Sequence, residues 1–203
     1  MAPGRRGTWD RASRGYARQE HLEHRAIRRA LDLAAPAPDE QLLDVATGTG
    51  LVLRELARRP APPASAVGLD ASAAMLARVG PLPAGWRAVY GDATALPFSD
   101  ASFDVAIAAY LLHVLQSPER AATLAELRRV VRIGGRLVTV TMWAARPAGD
   151  ALLAGLARAA PAILGGLRPF DPRPELTTAG WVPERAGALH GGYPSLIVRV
   201  RRA

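Results

Sequence analysis

Short apolar runs alternate with stretches of helical spacing between residues 40 and 143, and this alternation constrains the fold more than any other feature of the chain. Runs that are apolar on both faces are typical of strands in a parallel sheet covered by helices. We therefore expect an α/β fold with helices on both faces of a mostly parallel sheet. The runs are EQLLDVA (40–46), AVGLD (66–70), WRAVYGD (86–92), FDVAIAAY (103–110) and RLVTVTMW (136–143).

Helices are predicted between these strands, over 17–34, 51–58, 72–79 and 118–131. Ser117 is predicted to cap the last helix, with Pro118 at its first position and Gly134-Gly135 after its end. The chain from Trp181 and the run SLIVRVR (195–201) predict two closing strands. The first helix is indicated by an apolar stripe at helical spacing: Leu22, Ala26, Ile27, Ala30, Leu31 and Leu33.

The composition excludes several kinds of chemistry. The 203 residues contain no cysteine and no lysine, so thiol nucleophiles, thiolate metal sites and lysine Schiff bases are excluded. The net charge of +8 comes from arginines spread along the chain, which we interpret as a solvated surface. The N-terminus does not resemble a signal peptide, and the apolar stretch 151–167 contains Arg158 and Pro161 and falls short of a membrane span. We expect one cytoplasmic domain over 1–203.

Acidic residues stand at the ends of three consecutive predicted strands: Asp44, Asp70 and Asp92. Because the carboxyl ends of parallel strands meet at one edge of a sheet, where ligands bind, these acids are expected to lie together. Asp70 fits either a ribose diol or the cap of the following helix. Asp92, with the amide of Ala93, fits either an adenine base or an ordinary turn. The stretch 109–113, after the fourth strand, belongs to the same edge.

The turn after the first strand favours a ligand with positive charge. It reads Gly48-Thr49-Gly50-Leu51-Val52-Leu53 and lacks the third glycine of the dinucleotide-binding pattern. The carboxylate of Asp44 would also repel a pyrophosphate, whereas it would attract a cationic group.

Four stretches of the chain together resemble one family. They are LLDVATGTG, VGLDASAAML, YGDATALPFSDASFDVAIAAYLLHVL and ELRRVVRIGGRLVTVT, and they cover roughly residues 41 to 141. Their content and order resemble the class I S-adenosylmethionine-dependent methyltransferases, most closely the UbiE-like branch. The resemblance implies a Rossmann-like, seven-stranded, mostly parallel sheet with an antiparallel last strand. It also implies S-adenosylmethionine as cofactor and methyl transfer to an oxygen, nitrogen or carbon atom of a small-molecule acceptor.

The resemblance implies a set of cofactor-binding residues. The turn 44–50 would cradle the methionine portion, with Asp44 acting on its ammonium group. Asp70 would hold the ribose hydroxyls, Asp92 would contact the adenine, and Ala109 would lie near the methyl group. The full implied set is Asp44, Ala46, Thr47, Gly48, Thr49, Gly50, Asp70, Ala71, Asp92, Ala93, Ala109 and Tyr16.

The resemblance also divides the chain into parts. Residues 1–35 would form a lid helix region, 36–143 the cofactor-binding core, 144–176 the acceptor-site insertion and 177–203 the closing strands. In the lid region, Trp9 and Tyr16 would either close over the cofactor or anchor the segment on the sheet. The insertion lacks the segments characteristic of quinone-methylating members, so the acceptor is left open.

A sulfonium methyl group is already activated, so the protein mainly has to align the acceptor with it. A base is needed only for a protonated acceptor, and His113, at the mouth of the expected pocket, would serve either as that base or as a packing residue. His21, His24 and His190 are weaker alternatives. No spacing of His, Asp and Glu indicates a metal site.

Two other interpretations concern the possible partners of the chain. A nucleic-acid substrate is disfavoured, because residues 108–111 read Ala-Ala-Tyr-Leu instead of the motif of amino-methylating enzymes, and cytosine C5 chemistry needs a cysteine. The first helix carries Arg25, Arg28 and Arg29 opposite Leu22 and Leu31, which would suit an anionic membrane. That helix would belong to a methyltransferase of phospholipids or lipid quinones, to a non-catalytic binding protein, or to a lid with a solvated face.

Overall fold

The computed structural model describes residues 16–143, 169–190 and 193–203, with side chains from residue 20 onward. The helices are α1 (Tyr16–Ala34), α2 (Leu51–Ala57), α3 (Ala73–Leu76), α4 (Ser117–Val130) and α5 (Arg173–Thr178), and a 3-10 turn covers Leu112–Val114. The strands are β1 (Gln41–Val45), β2 (Ser65–Asp70), β3 (Arg87–Tyr90), β4 (Phe103–Ala109), β5 (Val131–Met142), β6 (Trp181–Leu189) and β7 (Ser195–Arg202).

The seven strands form one sheet in the order β3-β2-β1-β4-β5-β7-β6. Neighbouring strands from β3 to β5 are parallel, and β7 is antiparallel to both β5 and β6. The predicted Rossmann-like, mostly parallel sheet with an antiparallel last strand is therefore confirmed. The chain changes direction across the sheet between β1 and β4, and in such sheets the crevice at this point is where ligands bind.

Each face of the sheet packs against helices. On one face, α4 and α5 cover the strands, and the large buried side chains include Leu124, Leu127 and Trp181. On the other face, α1 and α2 contribute Ile27, Leu31 and other apolar residues to a second cluster. Two-sided burial explains why β1 and β4 are apolar throughout.

The stripe predicted for α1 is largely buried, with one exception. Ala26, Ile27, Ala30, Leu31 and Leu33 lie in the core, whereas Leu22 is 48% exposed. The spacing indicated the helix correctly, and Leu22 is the member of the stripe that stays exposed.

The junction of α4 and β5 differs from the prediction. Helix α4 begins at Ser117, with Gln116 as the N-cap residue, and the Gln116 amide donates to the Glu119 carboxylate at 3.1 Å. The helix passes directly into β5 at Val131, so Gly134-Gly135 lies inside the strand. There the three residues of β4 from Phe103 to Val105 oppose the six residues of β5 from Val131 to Arg136, which makes a bulge.

Gly135 is required at this bulge. A Cβ atom there would lie 2.8 Å from the carbonyl oxygens of Arg132 and Asp104. The glycine pair therefore serves a close backbone approach, and not the helix end that its sequence position suggested.

Helix α3 is shorter than the predicted 72–79. Ser72 caps it, its hydroxyl accepting from the Met75 amide at 3.2 Å. The other predicted elements agree with the structure to within a few residues at each end. Within the described ranges, no helix combines the length and apolar content needed to cross a membrane.

Leu127→Ala is expected to lower the free energy of unfolding by about 2 to 5 kcal/mol, because it leaves a cavity between α4 and the sheet. Urea unfolding measures the change. Ile133→Ala, at a side chain that is 70% exposed, is the matched control and should change stability by less than about 0.5 kcal/mol. Equal losses in the two variants would contradict the assigned core.

Candidate functional site

A cleft opens at the carboxyl ends of β1, β2 and β4, where the strand order changes direction. Its volume is about 620 Å³, including the part open to solvent. The lining is mainly apolar, and Asp70 is its acidic residue. The lining residues are Ala46, Gly48, Leu69, Asp70, Ala71, Met75, Gly91, Ala93, Ala109, Tyr110, Leu111 and Val114.

The glycine turn forms the floor of the cleft in an unusual backbone conformation. Ala46, Gly48 and Gly50 have φ values of 61°, 57° and 84°. The left-handed region suits glycine, whereas it costs a residue such as alanine roughly 1 kcal/mol. The Thr47 amide donates to the Leu69 carbonyl at 3.0 Å, and this bond ties the turn to the end of β2.

Gly68 of β2 makes room for the turn. A Cβ atom at Gly68 would lie 2.8 Å from both Thr47 Oγ1 and Leu53 Cδ1. Gly68 could not be assigned to the site from sequence, because an isolated glycine inside a strand does not show which backbone or side chain approaches it.

Asp70 links the turn to the segment that follows β2. One carboxylate oxygen accepts from the Gly48 amide at 2.8 Å, and the other accepts from the Ser72 amide at 2.8 Å. Asp70 therefore orders the turn, and it also lines the cleft.

Asp44 lies beneath the turn and is fully buried. Its position in β1 pairs with Gly68 on one side and Ile107 on the other. Neither oxygen of its carboxylate has a hydrogen-bond partner among the described residues. Burial raises the pKa of Asp44 to about 7, and the negative charge of Asp70 adds to this increase. A buried carboxylate of this kind is suited to a cationic partner.

Asp92 follows β3 and lies in a local turn. Its Oδ1 accepts from the Thr94 amide at 3.0 Å and from the Thr94 hydroxyl at 2.8 Å. The neighbouring Gly91 and Ala93 line the cleft. A Cβ atom at Gly91 would lie 2.6 Å from Leu69 Cδ1, so glycine keeps this wall close to β2.

Tyr110 forms the opposite wall, directly after β4. Its φ of 56° is uncommon for a bulky residue, and its amide donates to the Val140 carbonyl at 2.7 Å. Its phenol oxygen lies 2.8 Å from Ser195 Oγ. The ring meets those of His113 and Tyr193 edge to face, with centroids 6.1 and 5.3 Å apart. Burial raises the pKa of Tyr110, so the phenol stays protonated at neutral pH. These contacts hold the ring in one place.

His113 lies in the 3-10 turn behind Tyr110, and it is not among the residues that line the cleft. Burial lowers the pKa of His113 to about 4, and its Nδ1 has no hydrogen-bond partner among the described residues. The imidazole is therefore neutral at pH 7. Of the alternatives, His24 Nδ1 lies 3.2 Å from Glu55 Oε1, and His190 is exposed on the surface.

The structure brings part of the predicted set together. Ala46, Gly48, Asp70, Ala71, Ala93 and Ala109 line the cleft, while Asp44, Thr47, Thr49, Gly50 and Asp92 lie next to it. Helix α1 begins at Tyr16, whose side chain lies outside the described residues, as does all of Trp9. The structure adds apolar residues that carry no chemical signature in the sequence: Leu69, Met75, Leu111 and Val114.

Comparisons with known proteins agree with this geometry. Residues 42–135 match the family model of the methyltransferase domain. The chain is 42% identical over 117 residues to a demethylmenaquinone methyltransferase of Roseiflexus castenholzii, covering 57% of this chain and 47% of that protein. It is 41% identical over 125 residues to the ubiquinone/menaquinone biosynthesis C-methyltransferase UbiE of Dinoroseobacter shibae, covering 58% and 48%. The chain thus spans about half the length of these curated relatives.

A solved structure shares the fold over most of its length. Geranyl diphosphate C-methyltransferase from Streptomyces coelicolor A3(2) superimposes with a TM-score of 0.68 at 16% identity, covering 90% of this chain and 80% of that chain. Residues 42–135 are therefore similar in sequence to a methyltransferase domain, and the sheet has the fold of a solved methyltransferase. The curated relatives that the chain resembles are methyltransferases of the UbiE type.

Asp44→Asn is expected to flatten the pH dependence of stability in the ligand-free protein. Because the folded-state pKa is raised from 3.8 to about 7, the stability from this group is fully present below the ordinary pKa and is lost as the pH rises through 7. At about pH 8 the loss is on the order of 4 kcal/mol, and an amide does not ionise.

Urea unfolding at about pH 5 and about pH 8 tests this prediction. The readout is the difference between the two pH values, since a buried amide has its own pH-independent cost. Asp39→Asn, on an exposed loop, should keep the wild-type difference. If the stability of Asp44→Asn changed between these two pH values as much as that of the wild type, the assigned burial of the carboxylate would be contradicted.

Proposed function

We propose that the chain binds S-adenosylmethionine and transfers its methyl group to a small-molecule acceptor by direct in-line displacement. The observation that carries this proposal is Asp44, a fully buried carboxylate without a hydrogen-bond partner among the described residues, beneath a glycine turn that floors an open cleft. An ammonium group seated on the turn would supply the missing positive charge. A phosphorylated ligand would bring a second negative charge to the same place.

The other residues of the cleft fit the remaining parts of this cofactor. Asp70 is the carboxylate that lines the cleft and would contact the ribose hydroxyls, and the wall formed by Gly91 and Ala93, with Asp92 between them, would contact the adenine. The bound cofactor supplies an activated sulfonium methyl group. The protein's own task is then to orient the acceptor, which contributes several kcal/mol in favourable systems, roughly 7 to 11.

The acceptor would enter on the Tyr110 side of the cleft. Ala109 is small and leaves space there, and Tyr110, Leu111 and Val114 present a mainly apolar surface. A small, largely apolar acceptor fits this wall. The curated relatives bear the names of quinone methyltransferases, which is consistent with such an acceptor. Residues 144–168 of the expected acceptor-site insertion lie outside the described residues.

His113 remains our candidate for a general base. It is neutral at pH 7, as a base must be, but it contacts the cleft only through the ring of Tyr110. An acceptor that reacts in its unprotonated form needs no base, and the site then works by alignment alone. Turnover of a His113→Ala variant with the acceptor separates these two cases.

A second proposal concerns the exposed face of α1. Leu22, Arg25 and Arg29 are exposed on this helix. Arg28 is also exposed, and its Nε donates to Glu55 Oε2 at 2.7 Å. An exposed leucine beside two arginines suits an anionic lipid surface, from which an apolar acceptor would reach the cleft.

Binding of S-adenosylhomocysteine is the first test of the cofactor. At a hundred times its Kd the ligand should raise the free energy of unfolding by about 2.7 kcal/mol. Asp70→Asn should weaken binding about tenfold or more in calorimetry, because charged hydrogen bonds to the ligand and to the turn are lost. Asp39→Asn should bind as the wild type does. A shift with NAD and none with S-adenosylhomocysteine would overturn the proposal.

Co-sedimentation with vesicles containing phosphatidylserine tests the role of α1. Changing Arg25 and Arg29 to glutamine should reduce binding by about 1 kcal/mol for each arginine, and added salt should reduce it further. Neutral phosphatidylcholine vesicles are the control. No binding to anionic vesicles at moderate ionic strength would remove the membrane role and leave the methyltransferase proposal unchanged.

A further inference from the structure

Helix α1 contacts the glycine turn through Glu20. The Thr49 hydroxyl donates to Glu20 Oε1, and Arg54 Nη2 donates to Glu20 Oε2 at 2.8 Å. Arg54 Nη1 also donates to the Thr49 carbonyl. These three residues come from α1, the turn and α2, so one hydrogen-bonded group joins the three segments. We refer to it as the Glu20 clamp.

The clamp acts on the side of the turn that faces away from β2. Two backbone amides hold the inner side: Thr47 N–H donates to the Leu69 carbonyl, and Gly48 N–H donates to the Asp70 carboxylate. Thr49 lies on the outer side and is buried, and its hydroxyl and carbonyl oxygens are both engaged by the clamp. The backbone that would face the cofactor is therefore fixed from two directions.

The clamp is better shielded than an ordinary surface ion pair. The Glu20 side chain is 16% exposed, and its partners include a guanidinium group and a hydroxyl. Another ion pair joins α1 to the segment that follows α2, between Asp32 and Arg59 at 2.7 Å, but Asp32 is 48% exposed. Exposed pairs of that kind contribute little. The Asp32 pair therefore offers a matched comparison that does not touch the turn.

We infer that Glu20 is a positioning residue for the cofactor: acting through Thr49 and Arg54, it holds the glycine turn in its binding conformation and couples the placement of α1 to cofactor affinity. This inference rests on the proposed function, because the turn is taken to be the cofactor floor. It assigns a role to α1 that does not depend on the residues preceding Tyr16.

The test compares four variants of the full chain. Glu20→Gln and Thr49→Val break the clamp while keeping side-chain size, Thr49→Ser keeps its hydroxyl, and Asp32→Asn breaks the comparison pair. Calorimetry measures the Kd of S-adenosylhomocysteine, and amide hydrogen exchange of segment 46–50 in the ligand-free protein gives a second readout. Circular dichroism and thermal unfolding check that each variant is folded.

Glu20→Gln and Thr49→Val are expected to raise the Kd about tenfold and to speed exchange in segment 46–50. Asp32→Asn is expected to stay within about twofold of the wild type in Kd. Thr49→Ser, which keeps the hydroxyl group, is expected to lose less affinity than Thr49→Val. Unchanged affinity and exchange in Glu20→Gln and Thr49→Val would overturn the inference, as would an equal loss in Asp32→Asn.

A wild-type chain that does not bind S-adenosylhomocysteine would instead refute the proposed function. Hydrogen exchange would still decide whether Glu20 holds the turn, because that readout does not require a ligand. The two failures are therefore distinguishable.

Discussion

The burial of the Asp44 carboxylate is the constraint on which the rest of the site depends. The carboxylate lies under the turn and within the sheet, and burial raises its pKa to about 7. A charge in this position stabilises the protein only when a cation is near. The left-handed turn above this carboxylate is accommodated by Gly68 and ordered by Asp70, and a cationic group of the proposed ligand would sit on this turn.

Much of the sheet could be predicted from sequence, because two-sided burial leaves strands that are apolar throughout. β1 and β4 illustrate this, and both were located to within a residue at each end. The errors fell where tertiary contacts decide the outcome. Gly134-Gly135 carries the signature of a helix end, yet it serves a close approach between β4 and β5. Leu22 shares the helical spacing of the buried residues of α1, yet its own side chain is 48% exposed.

The residues of the site could be predicted where a charged residue type stands at the end of a predicted strand, and not elsewhere. Strand-end acids can be found from sequence, since their charge and spacing are both visible. Their environments cannot: Asp44 is unpartnered within the described residues and buried, while Asp92 is bonded to Thr94. The apolar wall around Met75 and Leu111 has no distinguishing residue type. The contact of Glu20 with the turn could not be predicted either, because Glu20 and its partner Thr49 are 29 positions apart in the sequence.

The bulge at the start of β5 makes the register of this strand independent of the rotation of α4. Without it, the direct passage from Val130 to Val131 would tie the rotation of the helix to the pairing of the strand, and a single inserted residue would turn every later side chain to the opposite face. The surplus residues before Arg136 can absorb such a change, because regular pairing resumes only after them. Variation in chain length at this point would therefore leave Val140, which binds the Tyr110 backbone, in its place.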